Sequence, residues 1–155
     1  MSLVYHGSDT VIKRPQVLRA GYGKDFGYGF YVTRIKSQAQ KWAQRKSIIS
    51  PVVSVYELDP AYTECAYKGF NNCEDDAWVD FIADCRNGIP HSYDIVEGPM
   101  ADDQVWNFVD DYIAHRIPRE VFKVYCKYNH PTHQIVLGND EVIHKYLRYV
   151  RCEKL

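Results

Sequence analysis

The residues of this chain best equipped for chemistry fall in three short stretches. The first is His6-Gly7-Ser8, where an imidazole, a bare backbone and a hydroxyl follow one another. Taken alone, such a triplet at the end of a strand is a turn with a capping serine. The second is DFGYGFYVT, Asp25 to Thr33. Phe26, Tyr28, Phe30, Tyr31 and Val32 favour an extended backbone, so composition predicts a strand. Gly27 and Gly29 interrupt it, and glycines inside a strand mark a bulge or the close approach of a ligand or another backbone. The third groups Cys126, His130 and His133, which Cys152 could join. A zinc centre needs four converging ligands, and the second pair here lacks the regular spacing of such sites. A thiol on a helix followed by two histidines around Pro131 is the simpler reading, and no metal is expected.

These groups need elements to position them. LVYH, Leu3–His6, reads as a first strand, followed by a loop through Pro15 and Gly21-Tyr22-Gly23. KSQAQKWAQRK reads as a helix with Ser37 as N-cap and Ala39, Trp42 and Ala43 on its inner face. PVVSVYELD is a strand with Val53, Val55 and Glu57 on one side. CEDDAWVDFIADCRNG opens on acids and closes on Asn87-Gly88, as an amphipathic helix should. SYDIVEGPM reads as a strand ending in the Gly98-Pro99 turn. ADDQVWNFVDDYIAHR is a helix capped by Asp102 or Asp103, with Val105, Phe108, Val109 and Tyr112 inward. PREVFKVYCKYN is a helix with Pro118 in its first turn. HQIVLG is a strand, read together with NDEVIHKYL as one segment, and YLRYVRCEKL is a terminal strand at a sheet edge. Strands and helices alternate irregularly, so the fold class is α+β, a mixed α/β domain over residues 1–155, without regular βαβ winding.

Composition narrows the function. At 155 residues the chain can bury a proper core, with 46% hydrophobic and 25% charged residues. The 13 tyrosines suit a polar-aromatic cleft or a tyrosine-rich core with satisfied hydroxyls. A formal net charge of -1 argues against a general grip on nucleic acid. No signal peptide and no membrane-spanning apolar run is evident. Five cysteines, Cys65, Cys73, Cys85, Cys126 and Cys152, form no CxxC pair and fit reduced thiols in a cytoplasm.

In combination, His6-Gly7-Ser8 and Gly27-Tyr28-Gly29-Phe30-Tyr31, with Ser37 opening the next helix, resemble the ADP-ribosyltransferase superfamily. The likeness is to the diphtheria-toxin-like branch that includes the poly(ADP-ribose) polymerases. It implies that family's fold, a split pair of central antiparallel or mixed sheets flanked by helices. It also implies NAD as substrate. His6 would donate to the 2′-hydroxyl of the adenosine ribose, and the backbone of Gly7 would pair with the nicotinamide carboxamide, its missing side chain admitting the ligand. Ser8 completes the motif and Gly29 lets the backbone curve towards nicotinamide. Tyr31 and Trp42 would sandwich the pyridinium ring, with Ser37 bonding the carboxamide.

The family's catalytic glutamate falls on Gln134, which can bond a ribose but carries no charge. The resemblance then implies single ADP-ribosyl transfer or NAD hydrolysis rather than polymer elongation, with a Gln134→Glu variant gaining glycohydrolase activity. His133, Asp140 and Glu141 rank lower as substitutes, because strand alternation turns neighbours to the opposite face. Asp102 or Asp103 could supply the missing carboxylate. YDIVEGPMADD, Tyr93–Asp103, together with KDFGYGFYVT and HQIVLG, is similar to an uncharacterised bacterial family of short ADP-ribosyltransferase-like domains. The expected activity is mono-ADP-ribosylation of a protein or nucleic-acid acceptor, with a toxin or defence role and a cognate antitoxin as partner. The alternative is a non-catalytic module that binds NAD or ADP-ribose. A third reading, an RNA-directed member handling a 2′-phosphate, would need a basic cleft.

Overall fold

The computed structural model describes residues 1–17, 25–72, 75–101, 110–127 and 132–155. The loop at Gly21-Tyr22-Gly23, Cys73, the cap at Asp102 or Asp103 with Val105, Phe108 and Val109, and His130 with Pro131 lie outside the described residues, as does the side chain of Cys126.

The first strand is longer than the sequence suggests: β1 runs Ser2–Ser8. Chain order then gives β2 (Phe30–Val32), α1 (Lys36–Lys46), β3 (Val52–Leu58), a 3-10 turn (Pro60–Glu64) and β4 (Tyr67–Gly69). α2 (Asp76–Arg86), β5 (Ile95–Gly98), α3 (Arg119–Lys127), β6 (Gln134–Leu137), α4 (Asp140–Tyr146) and β7 (Leu147–Lys154) follow. Residues 110–113 are also helical. The strands form two sheets, one ordered β1-β3-β7 and the other β2-β6-β5-β4. Pairing is antiparallel except between β4 and β5. This is a mixed α+β fold, with β7 at a sheet edge as expected.

Strand alternation sorts the side chains into layers. Val4, Phe30, Val32, Tyr56, Leu58, Ile95, Ile135 and Leu137 pack together between the two sheets. The far face of the first sheet, with Val53 and Val55, is covered by Ala39 and Ala43 of α1. The far face of the second, with Val96 and Val136, is covered by Trp78, Val79 and Ile82 of α2 and by Phe122 of α3. Each layer buries apolar area that no single sheet could hide, which is the driving force for the assembly. The two sheets also touch through backbone, where Tyr5 N–H donates to Thr33 O at 2.8 Å and Thr33 N–H to Tyr5 O at 2.9 Å.

Five expectations are corrected here. Only Phe30–Val32 of the DFGYGFYVT stretch is a strand; Asp25 to Gly29 form a turn. Ser37 does not cap α1: the N-cap is Ile35, without a side-chain cap bond, and Ser37 is exposed in the first turn. Trp42 is not an inner-face residue but 45% exposed. The alanine pair sets the contact, because α1 lies so close to β1 that no indole fits beneath it. Pro118 precedes α3 rather than lying within it, its carbonyl accepting from Phe122 N–H at 3.2 Å. Finally, NDEVIHKY is not an extension of β6 but α4, capped by Asn139, which accepts from Val142 N–H at 3.0 Å.

Candidate functional site

The turn at Asp25–Gly29 builds the site. Gly27 has φ 82°, the left-handed region that glycine enters at no steric cost. His91 Nε2 donates to Phe26 O at 2.9 Å and holds the turn. Gly29 lies against β6: a Cβ there would stand 2.5 Å from Val136 Cγ1 and 2.7 Å from Leu137 O. The close approach made by Gly29 is therefore to a strand, whereas the sequence reading assigned it to nicotinamide. The turn folds back over Tyr31, whose hydroxyl donates to Gly27 O and accepts from Phe26 N–H. Burial, then the nearby charge of Asp25, raise the Tyr31 phenol above its ordinary value, so it stays protonated and donates.

Tyr31 pairs with Val136 across β2 and β6, and Gln134 lies two residues along on the same face. The structure therefore brings these two predicted residues together on the outer face of the second sheet. Gln134 is 4% exposed, and its Nε2 donates to Asp25 Oδ2 and to Pro99 O, each at 3.3 Å. Asp25 in turn pairs with Arg86, Oδ1 receiving Nη2 at 2.7 Å and Nε at 3.2 Å. Trp78 Nε1 also donates to Pro99 O, at 2.9 Å. From the other side, Gln38 of α1 clamps the peptide of His133, donating to its carbonyl at 2.7 Å and accepting its N–H at 3.1 Å.

His6 sits on the opposite face of β1 from Gly7, stacked on Phe30 with ring centroids 4.4 Å apart. Its Nδ1 lies 2.6 Å from Tyr31 O. A carbonyl can only accept, so Nδ1 carries the proton, and Nε2 of the neutral ring is an acceptor. With the Nδ1 proton given to Tyr31 O, donation to a ribose hydroxyl would need a proton on Nε2 as well.

Gly7 is explained by α1. A Cβ at Gly7 would stand 2.1 Å from Ala39 O and 2.8 Å from Ala43 N, so the missing side chain admits a helix rather than a ligand. Its backbone has a different orientation. Tyr5 turns its N–H and C=O away from β3 to reach Thr33, and Gly7, two residues on, faces the same way. Ser8 is turned in on itself, its hydroxyl donating to Thr10 O. Neither Ser8, buried and committed, nor Ser37, exposed on α1, joins the Tyr31–Gln134 cluster through any contact among the described residues.

The sequence reading missed a second polar cluster on the inner face of the same sheet. Glu97 Oε2 accepts from Tyr62 at 2.6 Å and Tyr67 at 2.8 Å, while Oε1 accepts from His133 Nε2 at 2.8 Å and Arg34 Nε at 3.4 Å. Burial alone would raise the Glu97 carboxyl, but the donated bonds from His133, Tyr62 and Tyr67 pull it down to about 2. His133 Nδ1 accepts from Arg34 N–H at 3.1 Å. His133 therefore points away from Gln134, as strand alternation requires. Glu97 and His133 line a pocket of about 290 Å³ with Tyr67, Asn71, Pro99 and Thr132. The carboxylate has four donors on its two oxygens, which leaves no lone pair for a ligand. It works as a knot between β5, β6 and the 3-10 turn.

Asp140 donates nothing to this region: its Oδ1 accepts from Val17 N–H at 2.9 Å. Among the described residues no group of His, Cys, Asp and Glu side chains has the arrangement of a metal centre, and no helix is long and apolar enough to cross a membrane. No curated protein and no solved structure shows significant similarity to the chain. Residues 1–149 match the model of a family described as a protein of unknown function, DUF3990, and the chain belongs to that family.

Proposed function

We propose that this protein binds NAD where β1 meets the second sheet, beside Tyr31 and Gln134, and acts as a mono-ADP-ribosyltransferase on a macromolecular acceptor. One observation carries the reading. Tyr31 and Gln134 share one sheet face, and β1 meets that sheet at Tyr5–Thr33 with His6 bonded to the Tyr31 carbonyl. Three of the residues singled out by the resemblance come from distant parts of the chain and adjoin here: Tyr31 and Gln134 share the outer face, and His6 reaches the Tyr31 backbone from the inner face.

The chemistry follows from the groups present. The N–H and C=O of Gly7, directed towards the second sheet, suit a carboxamide. The ring of Tyr31, fixed by its hydroxyl, offers a preset aromatic face for a pyridinium. Gln134 Oε1 can accept a ribose hydroxyl as the nicotinamide–ribose bond breaks and nicotinamide leaves as a neutral molecule. Cleavage without a carboxylate at position 134 makes single transfer or hydrolysis the activity, not chain elongation. A cytoplasmic location and an antitoxin partner belong to the same proposal, resting on the family likeness alone.

A second reading is favoured by the uncharged Gln134: a module that binds NAD or ADP-ribose without turning it over. Incubation with NAD labelled in the adenylate and, separately, in nicotinamide, with and without lysate, separates the two. Adenylate label appearing on macromolecules, lost in His6→Ala, supports the transferase. Nicotinamide release alone marks a glycohydrolase, and saturable binding without either marks the module. No binding at millimolar NAD refutes all three.

A further inference from the structure

The resemblance gives Asp25 no role, yet it is the most heavily used side chain near Gln134. It is 6% exposed, and both its oxygens are occupied. Oδ1 receives Arg86 twice; Oδ2 receives Ala101 N–H at 2.8 Å and Gln134 Nε2 at 3.3 Å. The Arg86 side chain is 4% exposed and also reaches Asp110 Oδ1 at 3.2 Å, so the buried carboxylate has a buried counter-charge.

The consequence falls on the amide of Gln134. Its Nε2 meets a carboxylate and a carbonyl, two groups that can only accept. Rotating the amide by half a turn would set Oε1 against both, so only one orientation is allowed. In that orientation Oε1 has no hydrogen-bond partner among the described residues, although Gln134 is 4% exposed. A buried acceptor held without a donor is costly and calls for a ligand to complete it.

We infer that Asp25 is a positioning residue. Through its bond to Nε2 it presents Gln134 Oε1 as a fixed acceptor, so the site takes its ligand through a hydroxyl or N–H donor. The same five-residue turn also supplies Gly27 O and Phe26 N–H to the Tyr31 hydroxyl. One turn therefore orients both Tyr31 and Gln134. The inference rests on the proposed NAD site for the identity of the donor, a ribose hydroxyl, and on geometry alone for the orientation of the amide.

The test begins with the unliganded protein, labelled with ¹⁵N in its glutamine side chains. The Gln134 amide protons are expected to be well separated in shift and to exchange with solvent at least tenfold more slowly than those of exposed Gln16 and Gln44. In Asp25→Asn the carboxylate acceptor is gone; Gln134 exchange should rise at least tenfold, and the Kd for NAD should rise tenfold or more. Exchange of wild-type Gln134 as fast as Gln16 would overturn the inference without any variant. So would a folded Asp25→Asn protein with unchanged Gln134 exchange. A protected Gln134 amide in a protein that does not bind NAD supports the positioning role and refutes the NAD reading, so the two fail separately.

Discussion

Installing the glutamate that ADP-ribosyltransferases carry at the matching position should harm this protein rather than activate it. In Gln134→Glu the amide nitrogen that stands 3.3 Å from Asp25 Oδ2 becomes a second carboxylate oxygen. Two unit charges at that distance repel by about 5 kcal/mol at an effective dielectric constant of about 20. Arg86 offsets part of this, since it already bonds Asp25. The new carboxyl escapes the rest by keeping its proton, which then bridges to Asp25, so its folded pKa rises above the unfolded value of about 4.3. A group whose folded pKa is raised has its stability in full below the unfolded pKa and loses it as pH rises towards the folded one. We therefore expect a loss of about 1 kcal/mol at pH 4, from one missing donor, and about 3 to 5 kcal/mol at pH 8. Urea denaturation of wild type and variant across this range measures both. Parallel stability curves, or a variant as stable as wild type at pH 8, would refute the claim that Asp25 and Pro99 fix the amide. NAD glycohydrolysis should not increase in the variant.

Three further outcomes follow from the geometry. Gly7→Ala places a methyl group 2.1 Å from a backbone oxygen that cannot swing aside, so α1 must lift; thermal denaturation should show a loss of about 3 kcal/mol or more. Glu97, with its side chain 15% exposed and its folded pKa pulled down to about 2, contributes stability above its unfolded pKa. That contribution, about 2 kcal/mol after allowance for solvent screening, should be lost as pH falls from about 4.5 towards 2, and a Glu97→Gln protein should show a flatter acid limb. Trp42→Ala, at a residue 45% exposed, should cost less than about 1 kcal/mol of stability. Calorimetric titration should nevertheless show NAD affinity reduced tenfold or more if the indole stacks on the ligand; unchanged affinity would remove Trp42 from the site.

Much of the fold is readable from local pattern. The β-branched run in β3, the acid-capped α2 and the terminal strand β7 all follow from periodicity and capping, and α1 spans the same residues that its pattern predicts. The signal for α4 is also present, in Asn139 followed by Asp140 and Glu141 and closing on His144 and Lys145, but it is overshadowed by the strand that precedes it. β4 is a three-residue edge strand, too short for any periodicity to show. The site is legible only in part. His6, Tyr31 and Gln134 stand out by type, whereas Asp25, Arg86, Gln38 and Glu97 act through partners 61, 61, 95 and 36 positions away. No short-range spacing encodes such contacts. The glycines are the clearest lesson: in sequence the missing side chains of Gly7 and Gly29 look like room for a ligand, and the structure fills that room with α1 and β6.

The most direct measurement of the central claim is an NAD titration followed by ¹H–¹⁵N correlation spectroscopy of the uniformly labelled protein. Saturable shifts concentrated at the Gly7 and Tyr31 backbone amides and the Gln134 side chain, absent with adenosine alone for Tyr31 and Gln134, are the predicted result. No saturable change, or changes centred on the Glu97–His133 pocket, would contradict an NAD site at the junction of β1 with the second sheet.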